Sequence, residues 1–215
     1  VLTLYTYFRS SAAYRVRIAL NLKGIEYHSQ FVHLLRHGGE QRQPAYLKLN
    51  PQGLVPALVE GETVMTQSLA IIEYLDELYP QPPVLPADLK GRAYVRSLSQ
   101  LVACDIHPLN NLRVRQYLIE HWGHSEVQWQ EWYQQWVQEG FSALETFLAT
   151  HPATGQCCYG HSPTMADICL IPQVYNARRF NCDLSSYPLL SEIYRHCTAL
   201  EPFRQAAPEY QWDAT

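Results

Sequence analysis

No cysteine precedes Cys104, so nearly the whole N-terminal half of the chain is without a thiol. The six that occur, Cys104, Cys157, Cys158, Cys169, Cys182 and Cys197, form no C-x-x-C pair and have no zinc-finger spacing. That excludes a disulfide scaffold and a thioredoxin-type redox pair, and no metal site is expected; buried or incidental thiols of a reducing compartment fit better. No apolar run approaches the roughly 18 residues of a bilayer span. The opening VLTLYTY alternates like a strand and does not resemble a basic region followed by an apolar stretch. A surplus of basic charge is missing too: 16 Lys and Arg stand against 20 Asp and Glu, a formal net charge of −4, which points away from nucleic acid and anionic membranes. A cytoplasmic protein is expected.

What is present is a globular composition, 47% hydrophobic and 17% charged. A length of 215 residues predicts a small domain followed by a somewhat larger one. The first eighty or so residues alternate strand and helix signals. Leu2 to Tyr7 read as a buried strand, Val16, Ala19 and Leu20 share one face of a helix that Gly24 ends, and Tyr27 to Leu34 form a second strand candidate. Ala57 to Glu60 and Thr63 to Met65 flank Gly61 as a hairpin, and Leu69, Ile72 and Leu75 mark a helix closed by Tyr79-Pro80. The order is βαβ, then ββα. Pro80, Pro82, Pro83 and Pro86 make a stiff linker. Beyond it the periodicity is helical over Arg92–Cys104, Asn110–His121, Val127–Thr150, Met165–Arg179 and Leu189–Leu200. The expected domains are therefore 1–81, mixed, and 87–215, all helical; no internal repeat or low-complexity tract is visible.

Several short motifs carry chemistry, each with a plainer reading beside it. In FRSSAAYRVRIAL a helix beginning near Ala12 or Ala13 places Ser10 and Ser11 at its entrance. There the unpaired amides and the macrodipole favour an anion, although an ordinary serine N-cap explains an isolated pair as well. LVPAL sets Val55 before Pro56; a turn here would aim the Val55 backbone at an extended peptide ligand. TQSLAIIEYL offers Ser68 as an N-cap with Gln67 beside it, a second helix start able to take a carboxylate. DIHPLNNLRVRQYL groups His107, Asn110, Asn111 and Arg113 around Pro108. NARRF supplies Arg178 and Arg179, which point about 100° apart, so at most one faces a shared pocket. SPTMAD reads as a structural capping box, Thr164 as N-cap and Asp167 reaching back, that nucleates the core helix of the second domain.

Taken together, SSAAYRVRIALNLKG, LNPQGLVPAL, QSLAIIEYLDE, DIHPLNNLR, TMADICLIPQVYNARRF and DLSSYP resemble the zeta class of glutathione transferases, from Leu4 to about Pro208. The resemblance implies a fold of α+β type, with a thioredoxin-like N-terminal domain that binds glutathione, followed by an all-α domain supplying most of the second-substrate pocket, and a homodimer. By motif, Ser10, Ser11, Ala12 and Ala13 would lie at the thiol, Val55 beside a cis-Pro56 would pair with the cysteinyl backbone, and Gln67 with Ser68 would hold the γ-glutamyl carboxylate. Gln41 matches a further glutathione contact. His107, Asn111 and Arg113 match positions lining the site, Arg179 matches the arginine of the family's NAxRF stretch, and Arg9 the arginine ahead of the paired serines. The family motif usually reads Ser-Ser-Cys-Ser-Trp; here Ala12, Ala13 and Tyr14 fill the last three places. That removes the cysteine a thiol-dependent side activity would use and leaves the hydroxyls, so thiol activation falls to Ser11 with Ser10 nearby.

The activity implied is glutathione-dependent cis–trans isomerisation of maleylacetoacetate to fumarylacetoacetate in tyrosine and phenylalanine breakdown. A thiolate adds to the cis enone, the resulting single bond rotates, and elimination releases the trans acid with glutathione regenerated. A thiol with pKa near 8.5 needs help to ionise, which a hydroxyl at a helix N-terminus gives. Arg9, Arg113 and Arg179 suit a dicarboxylic keto acid, while Arg15 and Arg17 are structural or solvent-facing. Maleylpyruvate isomerisation and glutathione transfer or dehalogenation on small α-haloacids stay open as alternatives. A non-catalytic scaffold would not need the serine pair, Gln67-Ser68 and the arginines together.

Overall fold

The computed structural model describes residues 1–214. Thr215, the last residue of the expected helical domain, lies outside them. The chain divides into two compact units, Val1–Pro83 together with Ala199–Thr215, and Val84–Thr198. The final residues thus group with the first unit, whereas the sequence placed them in the second; the reason is a set of hydrogen bonds described below.

In the first unit β1 (Leu2–Thr6), β2 (Tyr27–Phe31), β3 (Ala57–Glu60) and β4 (Thr63–Thr66) form one sheet in the order β2-β1-β3-β4. β1 runs parallel to β2 across α1 (Ser11–Leu22) and antiparallel to β3, which returns as β4 through a turn at Gly61, φ 59°. Gly24, φ 63°, ends α1, as its left-handed backbone allows. β2 stops at Phe31, three residues short of the expectation, and the polar stretch after it contains α2 (Pro44–Leu49), which the sequence did not reveal. α3 (Ser68–Leu78) closes this segment. Lys23 fastens its end: the ammonium donates to Asp76 at 2.8 Å, to the Tyr79 carbonyl at 2.7 Å and to the Pro82 carbonyl at 2.9 Å. Cation and helix C-terminus thus reinforce each other.

Arg15 and Arg17 are both buried, so the solvent-facing alternative is excluded. Arg17 is fully enclosed on α1. Its Nε donates to the Ala206 carbonyl (2.9 Å), Nη1 to Thr6 Oγ1 (3.0 Å) and the Tyr7 carbonyl (3.3 Å), and Nη2 to the Phe8 carbonyl (3.1 Å). Ala206 belongs to α9 (Glu201–Ala206), and this anchor, with Tyr14 Oη donating to the Phe203 carbonyl and Phe8 N–H to Asp213, ties the tail to the first unit.

The second unit contains α4 (Leu89–Gln100), α5 (Leu112–Glu120), α6 (Glu126–Thr150), α7 (Met165–Arg179) and α8 (Pro188–Thr198). α4 starts earlier than Arg92 because Asp88 caps it, accepting from the Gly91 N–H at 2.7 Å. It does not run to Cys104 as one regular helix: Leu101–Ile106 widen into a π-helical segment. α6 carries the buried stripe Trp129, Tyr133, Val137, Phe141, Leu144 and Leu148, spaced by three or four residues as a core-facing helix requires. Glu145 accepts from the N–H groups of Leu189 and Leu190 at the start of α8. The capping function of Asp167 is confirmed: its carboxylate accepts from Thr164 N–H and Oγ1–H and from the Cys158 N–H. Cys157, Asp167 and Cys197 bring possible ligand atoms within 4.8 Å of one another, but these donors already occupy both oxygens of Asp167. All six cysteines are free thiols. Among the described residues no helix is long and apolar enough to cross a membrane.

Replacing Arg17 by Met keeps the apolar stem and strands three carbonyls, at about 1–3 kcal/mol each where no water reaches them. We expect Arg17→Met to lower the unfolding free energy by about 3 kcal/mol or more, read from urea midpoints, and to render the C-terminal tail sensitive to limited proteolysis first.

Candidate active site

Strand register decides where the candidate residues go. Thr6 pairs with Phe31, Tyr5 with Ala57, and Ala57 with Thr66, so these positions lie in line across the sheet. The residues just beyond them leave from the same end: Tyr7 to Ser11 after β1, Val32 to Arg42 after β2, Val55 and Pro56 before β3, and Gln67 and Ser68 after β4. Two helix N-termini, those of α1 and α3, therefore open at one end of the sheet, each with amides that have no partner within its own helix. Tyr7, Phe8, Val32, Tyr46 and Val55 form a single buried cluster beneath these segments.

The two serines divide their work. Ser10 is the N-cap of α1, its Oγ accepting from the Ala13 N–H at 3.2 Å, so the helix begins at Ser11, just before the expected Ala12 or Ala13. Ser11 is the first helical residue and 4% exposed. Ala12 is half-buried and Ala13 fully buried. At α3 the expected cap is corrected: Ser68 is the first helical residue, and Gln67 holds the cap position with φ 69° and no side-chain cap bond. A left-handed conformation at a residue with a Cβ is uncommon. It releases Ser68 Oγ to accept from Arg15 Nη1 at 3.2 Å, while Gln67 Nε2 donates to Gln52 Oε1 at 2.9 Å. Arg15 is thus a bolt between the starts of the two helices.

The Val55–Pro56 peptide is cis. Its position is fixed through Leu54, whose carbonyl accepts from Tyr46 Oη and Asn50 Nδ2, both at 2.7 Å. These two side chains, four apart on α2 and at its end, were missed from the sequence; the spacing after Gln43-Pro44 is the signal that would have shown them. Gln41 is buried. Its Nε2 donates to the Leu34 carbonyl at 3.3 Å, and its Oε1 is buried with no hydrogen-bond partner among the described residues. Such an acceptor, beside two helix N-termini that favour carboxylate and thiolate, fits a ligand that brings both amide donors and anionic groups, as a γ-glutamyl peptide does. Arg9 is exposed, its guanidinium 4.8 Å from the Phe8 ring centroid.

In the helical unit, His107 and Asn111 come together: Asn111 Nδ2 lies 3.4 Å from His107 Nε2, and Asn111 caps α5 by accepting from the Arg113 N–H at 3.1 Å. Arg113 itself is exposed. Arg178 and Arg179, both exposed at the end of α7, diverge as their spacing requires; Arg178 stacks on Tyr194 and Arg179 on Phe180.

A four-stranded mixed sheet with both helix starts at one end, followed by a helical unit, is the glutathione transferase architecture. Residues 9–78 match the family model of the glutathione S-transferase N-terminal domain. A maleylacetoacetate isomerase of Rhizobium meliloti is 51% identical over 96% of this chain and 95% of its own length. A maleylpyruvate isomerase of a Ralstonia species is 47% identical over 98% and 99%. The crystal structure of a maleylacetoacetate isomerase from Methylobacterium extorquens AM1, with bound malonate and glutathione, superposes with a TM-score of 0.95 at 42% identity, covering 99% of both chains. The chain belongs to the zeta class of glutathione transferases.

The division between the serines is testable. Ser10→Ala removes the cap and should cost about 1 kcal/mol of stability by thermal or urea denaturation, whereas Ser11→Ala, which leaves the cap in place, should cost less than half of that.

Proposed function

We propose that this protein is a glutathione-dependent cis–trans isomerase of maleylacetoacetate, working in the cytoplasm in breakdown of tyrosine and phenylalanine. The observation that carries the reading is the convergence of two helix N-termini, with Ser11 and Ser68 buried at their first positions, at one end of the sheet. The match over nearly the full length of the relatives, and their names, support it. Six free thiols suit a reducing compartment.

In this reading Ser10, Ser11, Ala12, Ala13, Gln41, Val55, Pro56, Gln67 and Ser68 hold glutathione, with His107 and Asn111 as further polar contacts. When bound, glutathione supplies a thiolate nucleophile that adds to the cis double bond, permits rotation and leaves again unchanged. Ser11 donates a hydrogen bond at the position of the sulfur, where the α1 dipole acts in the same direction, so less of the bound thiol stays protonated at neutral pH. Ser10 Oγ, already accepting from Ala13, keeps its own proton available to a second acceptor. Gln41 Oε1 accepts from an amide donor of the peptide, and the α3 start takes the γ-glutamyl carboxylate. Arg9, Arg113 and Arg179 are assigned to the carboxylates of the keto acid and to oxygen charge that grows next to the attacked carbon. All three are exposed, and a guanidinium can hold a carboxylate through two parallel hydrogen bonds. A homodimer is part of the proposal; exposed Val64 on the edge strand β4 gives apolar surface for it.

Purified protein should isomerise maleylacetoacetate only with glutathione present and without consuming it. Maleylpyruvate tested alongside selects between the two pathways by the ratio of kcat/KM. Ser11→Ala should lower kcat/KM by about 10²–10³ at neutral pH. Because the lost donor had depressed the thiol pKa, the ascending limb of the pH profile should move to higher pH and the deficit should shrink there. Unchanged activity across neutral pH would remove Ser11 from this role. Arg179→Ala should raise the KM of the dicarboxylate by about tenfold while the glutathione Kd stays within twofold.

A further inference from the structure

α6 contains one glycine, Gly140, in the middle of its 25 residues. Glycine is the poorest choice there apart from proline, since it surrenders most backbone freedom and offers no side chain to pack. A Cβ at this position would lie 2.3 Å from both Cγ1 and Cδ1 of Ile106, and 3.7 Å from its Cβ. Ile106 is 1% exposed and is the last residue of the π-helical segment Leu101–Ile106. The widened turn is closed by the His107 N–H donating to the Val102 carbonyl, five residues back, at 2.9 Å. His107 follows directly.

Two further bonds tie the same turn to the same helix. Trp132 Nε1 donates to the Leu109 carbonyl at 2.9 Å, and Asn110 Nδ2 donates to the Tyr133 carbonyl at 3.2 Å. These contacts clamp the stretch from Ile106 to Asn111 on α6 from both sides. His107 and Asn111 then meet at 3.4 Å, and the α5 start carries Arg113. π-helical turns offset the residues after them from the regular helical path and are frequent at functional sites.

We propose that Gly140 is a positioning residue: the missing side chain lets Ile106 seat against the α6 backbone, and that seat sets where His107, Asn111 and Arg113 stand for the isomerisation. This rests on the function proposed above. A small displacement of such groups is enough to slow turnover strongly, although Gly140 touches no reactant.

The test is a double-mutant cycle with Gly140→Ala, Ile106→Ala and both together, since Ile106→Ala removes both atoms the new methyl would strike. Turnover is measured well below each variant's melting temperature, and the His107 ring resonances, assigned by their loss in His107→Gln, are followed by NMR. Gly140→Ala should lower kcat/KM about tenfold or more and shift the His107 resonances. The double variant should restore both toward those of Ile106→Ala alone, a coupling of opposite sign to simple addition. Gly140→Ala with kcat/KM within twofold and unshifted His107 resonances would overturn the proposal, as would a double variant worse than Gly140→Ala. If the unmodified protein fails to turn over either keto acid, the proposed function fails. The NMR cycle then still decides whether Gly140 positions His107.

Discussion

The buried guanidinium of Arg17 is the contact on which the first unit depends. A fully enclosed cation is tolerable only when its donors are satisfied, and four acceptors surround it. Burial pulls its pKa down to about 10, against the raising influence of Tyr27, Tyr14 and Asp213, so it still carries its charge at neutral pH. Three of those acceptors, Thr6, Tyr7 and Phe8, are the end of β1 and the turn toward Ser10. The fourth, Ala206, fixes the returning tail. One side chain therefore shapes the turn that leads into the α1 entrance and holds the segment that covers α1. An apolar residue of equal size could pack there, but it could not orient the Thr6 hydroxyl and the two successive carbonyls of Tyr7 and Phe8.

Arg15, two positions earlier on the same helix, performs the related task toward α3. Ser68 Oγ is available to it because Gln67 adopts a left-handed backbone and takes the cap position without capping. The uncommon backbone at Gln67 and the buried cation are two parts of one arrangement, in which a helix start gives up its side-chain cap and gains a fixed position beside another helix start. For a site that must present amides to an anion, an absent cap is useful, because a serine capping its own helix would occupy an amide that a ligand could use.

Much of this was legible in the sequence. The β1 alternation, the Gly24 stop, the Gly61 hairpin and the α7 span with its Thr164–Asp167 box are local signals, and each appears where hydrophobic period and capping chemistry placed it. The serine entrance was legible to within a residue or two, Ala12 or Ala13 being expected and Ser11 found. What was not legible depends on partners distant in sequence. α2 is six residues long and mostly exposed, too short to show a period, and its Tyr46 and Asn50 matter only because Leu54 folds back to meet them. The burial of Arg15 and Arg17 follows from Ser68 and Ala206, 53 and 189 residues away. The break of α4 into a π-helical segment left no local sign, because the apolar pattern of LVACDI is the same whether the turn is regular or wide; its last residue, Ile106, lies against Gly140 of α6. The tail, read as part of a helical domain, joins the first unit through the Phe203 and Ala206 main-chain carbonyls, which have no sequence identity to read, and through Asp213, whose partner Phe8 is 205 residues away.

The departure of Ala12, Ala13 and Tyr14 from the usual Cys-Ser-Trp of the class can be judged on the same physical footing. Ala13 contributes its N–H to the Ser10 cap and has no exposed surface, so a hydroxyl there would need a partner inside the core. Tyr14 is buried as an aromatic and directs its hydroxyl at the Phe203 carbonyl, which substitutes one ring with a polar edge for another at a core position. Only Ala12 is partly open to solvent. Of the three changes it alone can alter chemistry, by removing a thiol from the helix entrance where thiolates are most easily formed. The capping hydroxyl of Ser10, the first-turn hydroxyl of Ser11 and the helix start behind them are untouched, and these are the groups to which the proposed function assigns a ligand's thiolate. The chain thus keeps both hydroxyls at the α1 entrance while lacking a thiol of its own there with which a bound thiol could form a disulfide.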